Sequence, residues 1–132
     1  MTTRVDDWIA SYGRVWEERD ADAASALFTS DAVYRDHPLG PPHLGADGVR
    51  KYWSEVTATQ SAVGVRFGTP VVSADEMRAA VEFWVTMTNG GSDVTLTGIL
   101  MLQFVDDGRC RELREAWHFE PGHHDPPAGW GR

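Results

Sequence analysis

A chain of 132 residues, 42% hydrophobic and 24% charged, is a single globular domain of ordinary size with enough apolar mass for a real core. Its formal net charge of −8 argues against a nucleic-acid partner, because phosphate binding needs clustered Lys and Arg. No stretch approaches a membrane span, the opening MTTRVDDW has no apolar signal region, and the single Cys110 excludes an internal disulfide, so no membrane partner and a reducing cytoplasm are expected.

The first predicted helix runs from Thr3 to about Glu18, capped by Thr2 or Thr3, with Asp6 and Asp7 in its first turn. Trp8, Tyr12, Val15 and Trp16 recur at helical spacing and form one aromatic stripe. Tyr12 is thereby on the buried side, with a hydroxyl that needs a partner, as a core tyrosine or as a functional donor. A second short helix is expected over about Ala21 to Phe28, with Arg19-Asp20 as the turn before it and Ser30-Asp31 ending it. A short strand, Ala32 to Arg35, then leads to Asp36.

The loop from Pro38 to Gly45 is fixed by its Pro and Gly residues. It feeds a third helix, about Asp47 to Ala58, where Asp47 is placed to cap orphan N–H groups. Val49, Tyr52, Trp53 and Val56 form its apolar side. Asp36 therefore sits at a strand end beside a constrained loop, a placement that holds a functional group still.

The second half reads as strands. Ala62 to Val72 is rich in β-branched residues, with Pro70 marking an edge or a bulge. Met77 to Thr88 places Val81, Phe83, Val85 and Met87 on one face and Glu82, Trp84 and Thr86 on the other. Asn89-Gly90-Gly91 is a hairpin turn. Val94 to Val105 follows, then the turn Asp106-Asp107-Gly108. The last strand, Arg109 to Phe119, groups Leu113, Glu115, Trp117 and Phe119 on one face. Helices followed by an antiparallel meander give an α+β fold, with the helices on one face of a curved sheet. The domain occupies 1–120, and 121–132 is an irregular tail rich in Pro, Gly and His.

Three stretches, ALFTSDAVYRDHP, GADGVRKYW and LMLQFVDDGRCRELREAW, make the chain resemble the nuclear transport factor two-like superfamily, with its SnoaL-like polyketide cyclases and ketosteroid isomerases. The resemblance implies a cone-shaped roll: three N-terminal helices packed on a curved antiparallel sheet that encloses an apolar pocket, in a protein that forms homodimers. It places Asp36 where the isomerases keep their general base and Tyr12 where they keep an oxyanion-binding tyrosine. Their second oxyanion donor falls at Leu100, which donates no hydrogen bond. That departure counts against true steroid isomerisation, since one lost oxyanion donor costs on the order of a hundredfold. No Asp/Arg/Asp arrangement of the limonene epoxide hydrolase kind is evident.

Asp36 is the first candidate base, because an apolar pocket raises a carboxyl toward the range useful for proton transfer. Its other reading is a loop cap that bonds the backbone N–H groups near His37 to Leu39. Tyr34, two residues earlier, shares its side of the strand, and Tyr12 reaches the same space. Glu115 is the second carboxylate on the pocket face, functional or else paired with Arg66 or Arg114. Trp16, His37, Trp53, Phe83, Leu100, Leu113 and Trp117 complete the expected walls. The five histidines have no metal-ligand spacing, so neither a metal nor any other cofactor is expected.

The expected function is cofactor-independent general acid/base chemistry, an isomerisation, cyclisation or dehydration, on a small apolar carbonyl compound. Two alternatives stand beside it. One is a non-catalytic binder of a small hydrophobic ligand; the other is a structural dimer module that uses Glu82 and Trp84 at the contact.

Overall fold

The computed structural model describes residues 3–132. Helix α1 spans Arg4–Glu18 and buries Val5, Trp8, Ile9, Tyr12, Val15 and Trp16. Thr3 closes a capping box with Asp6: the Thr3 hydroxyl accepts from the Asp6 N–H, and the Asp6 carboxylate accepts from the Thr3 N–H at 2.9 Å. Thr2, the other expected cap, lies outside the described residues.

Helix α2 is shorter than expected, Ala21–Ser25, and strand β1 is longer, Phe28–Arg35. Ser30-Asp31 therefore lie inside the strand and do not separate it from the helix. Phe28 pairs in parallel with Cys110 on the last strand, and that tertiary pairing overrides the helical propensity of the preceding alanine-rich segment.

Strand β2, His43–Leu44, pairs antiparallel with β1 and sets Tyr34 opposite His43. Helix α3, Gly45–Thr57, starts two residues before the expected Asp47; Gly45 holds φ +72 at the entry, and a Cβ there would lie 2.8 Å from the Ser30 carbonyl oxygen. Its N-cap is Leu44, with no side-chain bond. Asp47 sits in the first turn instead and pairs with Arg50 at 2.9 Å.

The remaining strands are β3 (Gln60–Phe67), β4 (Val71–Val72), β5 (Arg78–Asn89), β6 (Ser92–Phe104) and β7 (Cys110–Pro121). The expected strand from Ala62 to Val72 is thus two strands, broken just before Val71 by Pro70, which donates nothing to a ladder. The sheet order is β2-β1-β7-β6-β5-β3, with β4 also on β5. Every pairing is antiparallel except β1 with β7, so the sheet is mixed and not wholly antiparallel. The β5–β6 turn has positive φ at both Gly90 and Gly91, as the asparagine-glycine-glycine sequence requires.

The result is the α+β cone. Helices α1 and α3 pack their apolar faces on one side of a curved, unclosed sheet. Between them lie Tyr12, Phe28, Tyr34, Val81, Phe83, Val85, Leu100 and Leu113, all at most 2% exposed. Burying each such side chain contributes about 1.5–3 kcal/mol. Gly98 lies on this inner face because nothing larger fits: a Cβ there would be 2.1 Å from the Ala116 carbonyl oxygen and 2.9 Å from the Phe83 ring.

Beyond β7 the chain has no helix or strand but is tied down. It crosses the outer face of the sheet, opposite the helices. The Trp84 indole N–H donates to the His124 carbonyl at 2.8 Å, Trp130 stands edge-on to Trp84 at 5.8 Å, and Gly131 N–H donates to the Glu82 carboxylate at 3.2 Å. The outer face that the sequence suggested for a dimer contact through Glu82 and Trp84 is, at those two residues, covered by the chain itself. Among the described residues no helix is long and apolar enough to cross a membrane.

Candidate functional site

The open end of the cone holds a cavity of about 390 Å³ lined by Asp36, His37, Tyr52, Glu55, Val56, Thr59, Gln60, Asn89, Leu96, Glu115, Trp117 and Phe119. Behind it lies a smaller chamber of about 60 Å³, lined by Trp16, Tyr34, Tyr52, Trp53, Val56, Gln60, Leu96 and Glu115. The two share Tyr52, Val56, Gln60, Leu96 and Glu115, so Glu115 stands where mouth meets chamber. A depression of about 400 Å³ elsewhere, along Met77, Arg78, Gln103 and Arg111, is lined largely by charged and polar side chains and is not near this cluster.

Register explains the convergence. β1 lies parallel to β7 with Tyr34 opposite Leu113, and β6 lies antiparallel to β7 with Leu100 opposite Glu115. The Tyr34 hydroxyl donates to Glu115 Oε1 at 2.5 Å and lies 3.0 Å from the Tyr12 hydroxyl. Since the Tyr34 proton is committed to Glu115, Tyr12 is the donor of that second bond, and the chain of protons runs Tyr12 to Tyr34 to Glu115. Burial pushes the Glu115 carboxyl up to about 7; the Tyr34 bond opposes that rise, and the nearby Asp36 charge adds to it. Burial, then the Glu115 charge, pushes both Tyr12 and Tyr34 well above the usual phenol range. They are therefore neutral hydrogen-bond donors at any ordinary pH. Glu115 pairs with neither Arg66 nor Arg114; Arg114 lies 3.9 Å from Glu112, and Arg66 stacks over Trp130.

Asp36 occupies the mouth with its side chain 18% exposed. Its Oδ1 lies 3.2 Å from His43 Nε2 and its Oδ2 lies 3.1 Å from His37 Nδ1. Tyr52 also lines the mouth, and burial, followed by the Glu115 and Asp36 charges, pushes its phenol well above the usual range. The backbone carbonyl of Asp36 accepts from the Trp117 indole N–H at 2.8 Å, which fastens the loop to β7. His37 stands edge-on to Trp117 at 5.3 Å. The Asp36 carboxylate thus engages side chains across the mouth, and the partners expected of a loop cap, the N–H groups near His37 to Leu39, are not among them.

The sequence-derived residues divide three ways. Tyr34, Glu115, Trp16 and Trp53 line the chamber; Asp36, His37 and Trp117 line the mouth. Tyr12 reaches the site only through Tyr34. Phe83, Leu100 and Leu113 are 0%, 1% and 0% exposed and line neither space; they are the packed floor behind it.

Sequence reasoning missed the roles of Tyr52, His43 and Gln60. Tyr52 read only as part of the apolar side of α3, although a half-buried phenol needs a partner. His43 read as loop until β2 brought it across from Tyr34. Gln60, 8% exposed, accepts from the Trp16 indole N–H at 3.2 Å, a contact between elements far apart in sequence that no local pattern signals. Among the described residues no group of three or more His, Cys, Asp or Glu is arranged to hold a metal ion.

Comparison with known proteins adds the following. The family model of the SnoaL-like domain matches residues 8–113. Among solved structures, the chain resembles SalBIII, an epoxide hydrolase/cyclase-like enzyme of pyran ring formation in the polyether salinomycin, with a TM-score of 0.76, 23% identity, and 87% of this chain and 90% of that one covered. It also resembles a protein of ketosteroid isomerase-like fold from Catenulispora acidiphila, in complex with trimethylamine, with a TM-score of 0.74, 14% identity and coverages of 83% and 84%. A Mycobacterium tuberculosis protein, RV0760c, gives a TM-score of 0.77 at 17% identity, covering 91% of this chain and all (100%) of that one. At these identities the likeness is one of fold. No curated protein matches the sequence.

Proposed function

The chain belongs to the SnoaL-like domain family, and from that premise we propose that it is an enzyme of general acid/base chemistry, working without metal or organic cofactor on a small apolar carbonyl compound. The reaction is an isomerisation, cyclisation or dehydration that passes through an enolate. One observation carries this reading: Glu115, at the junction of mouth and chamber, has a carboxyl pushed up to about 7 by burial. Such a group is about half ionised at neutral pH, so it takes a proton in one step and returns it in the next. In the proposed step the Glu115 carboxylate removes a proton from the carbon beside the carbonyl, and the electron pair moves onto the carbonyl oxygen. The neutral carboxylic acid then delivers that proton to another atom of the enolate. Asp36, held at the mouth by His43 and His37, is the second carboxyl, in a wetter setting. Two carboxyls in unlike environments divide proton donation from proton acceptance. Tyr34 and Tyr12 hold the charge of Glu115, and Trp16, Trp53, His37 and Trp117 form walls against which an apolar substrate lies.

The test uses cyclohexanone as the probe, in deuterated buffer, with loss of its α-proton NMR signal as the readout. Wild type is expected to accelerate exchange, with a rate that rises through pH about 7 as Glu115 ionises. Glu115→Gln is expected to lower that acceleration by about a hundredfold or more. Equal rates for the two proteins would refute the role of Glu115.

A second reading has its own observation. The phenols of Tyr12 and Tyr34 are both committed to protein partners, and Leu100 supplies no donor. On that count the cavity holds a small hydrophobic ligand without transforming it, and the exchange assay would show no acceleration above buffer. Either reading keeps the homodimer that the family resemblance implies, docked on the part of the outer face that the tail leaves bare, where Ile99 and Met101 are 45% and 46% exposed.

A further inference from the structure

Two donors of the inner chamber are used up: the Trp16 indole N–H goes to Gln60 Oε1 and the Tyr34 hydroxyl to Glu115. The Trp53 indole N–H and the Gln60 carboxamide are not. The indole N–H of Trp53, a residue 2% exposed that lines the chamber, is the single buried side-chain nitrogen or oxygen among the described residues with no hydrogen-bond partner. A buried donor without an acceptor costs about 1–3 kcal/mol. Its residue lines a chamber of about 60 Å³, large enough for a carbonyl group and too small for a ring.

Gln60 points the same way. Its amide oxygen is fixed on Trp16, because the reverse orientation would set N–H against N–H. Its NH₂ accordingly has no acceptor among the hydrogen bonds of the described residues, and Gln60 lines both the chamber and the mouth. An indole N–H and a carboxamide NH₂, both neutral, favour a partner that is an acceptor only. A ketone or enolate oxygen fits; an ammonium or a hydrocarbon tip does not.

We propose that the inner chamber is an oxygen subsite, in which the Trp53 indole N–H and the Gln60 carboxamide donate to the carbonyl oxygen of a ketone whose apolar body lies in the mouth. This inference rests on the carbonyl reading of the cavity and names where the oxygen goes. It supplies the oxyanion donor that Leu100 lacks, from a different wall. The arrangement also leaves the carbon beside the carbonyl at the chamber opening, where Glu115 stands.

The test pairs acetophenone with α-methylstyrene, which replaces the carbonyl oxygen by CH₂ and keeps the shape. The six tryptophan indole N–H signals are followed by ¹⁵N–¹H NMR, that of Trp53 being identified by its loss in Trp53→Phe. The Trp53 signal is expected to move downfield with acetophenone and to stay with α-methylstyrene. Trp53→Phe is expected to weaken acetophenone binding by about fivefold to tenfold and to leave α-methylstyrene unchanged. Binding of both ligands with no ketone-specific shift of any indole signal would overturn the subsite, a readout of the wild-type spectrum that needs no assignment where Trp53→Phe folds poorly. Failure of both ligands to bind would overturn the cavity reading together with it. A ketone-specific shift in a protein that gives no α-proton exchange would leave the subsite standing and remove only the acid/base step.

Discussion

The two faces of the same sheet make different use of the same residue types. Each side brings a tryptophan near a glutamate: Trp84 near Glu82 on β5, and Trp53, from α3, at the chamber that Glu115 of β7 also lines. On the outer face Trp84 donates to the His124 carbonyl at 2.8 Å and Glu82 accepts from the Gly131 N–H at 3.2 Å, both partners supplied by the chain's own tail. On the inner side Trp53 of α3 has no acceptor, and Glu115 of β7, held by one phenol at 2.5 Å, is pushed up to about 7. Polar groups that the fold satisfies are fixing the fold. Polar groups that it leaves wanting, beside an empty space, are the ones that a ligand satisfies.

The difference in packing gives the largest expected effect. Gly98→Ala on the inner face drives a methyl against the Ala116 carbonyl, 2.1 Å from the built position, and against the Phe83 ring. Backbone cannot yield as a flexible side chain does, so a loss of about 3 kcal/mol or more is expected in urea unfolding. Thr97→Val, one residue away on the outer face, is expected to cost less than about 1 kcal/mol. Similar costs at the two positions would mean that the faces are equally packed.

Titration sharpens the same contrast at a slightly smaller scale. The Glu115 carboxyl rises from an ordinary 4.5 to about 7 in the folded protein. Between these values the folded state holds a proton that the unfolded chain has released, so stability falls as pH rises through that window. At about 1.4 kcal/mol per unit, the loss reaches up to about 3 kcal/mol. Glu115→Gln has no such proton, so its stability relative to wild type is expected to grow by that amount from pH 4.5 to pH 7. A constant gap for Glu115→Gln would show that Glu115 is well solvated.

How much of this the sequence carried follows from the same physics. The aromatic stripe of α1, the alternation in β5 to β7 and the Gly90-Gly91 turn are local patterns, and each lies where the periodicity put it. The resemblance carried the cone, and Tyr34, Asp36 and Glu115 do converge. What local pattern does not encode is pairing at a distance. The parallel match of β1 with β7 decided where α2 ends. The match of β2 with β1 brought His43 to the mouth. The Trp16–Gln60 bond joins α1 to β3. Nor does burial follow from face alone: Phe83 and Leu100 share the inner face with Glu115, yet lie beneath the floor of the chamber.

The smallest expected effect tests whether the two faces are independent. Trp130 stands edge-on to Trp84 at 5.8 Å, with Arg66 over its ring at 5.8 Å. An aromatic pair and a half-exposed cation–π contact are together worth about 1–2 kcal/mol. Trp130→Ala is therefore expected to lower thermal stability by that amount while leaving ligand affinity in the cavity within about twofold, because the sheet between tail and chamber is closely packed and Glu82 and Glu115 point to opposite sides of it. The sheet is also the route by which the expectation fails. β5 carries Trp84 outward and Phe83 inward from adjacent residues, and Phe83 packs against Trp16 at 6.1 Å. If Trp130→Ala alters cavity affinity tenfold, that pair is the mechanical link, and the tail acts on the chamber through the backbone they share.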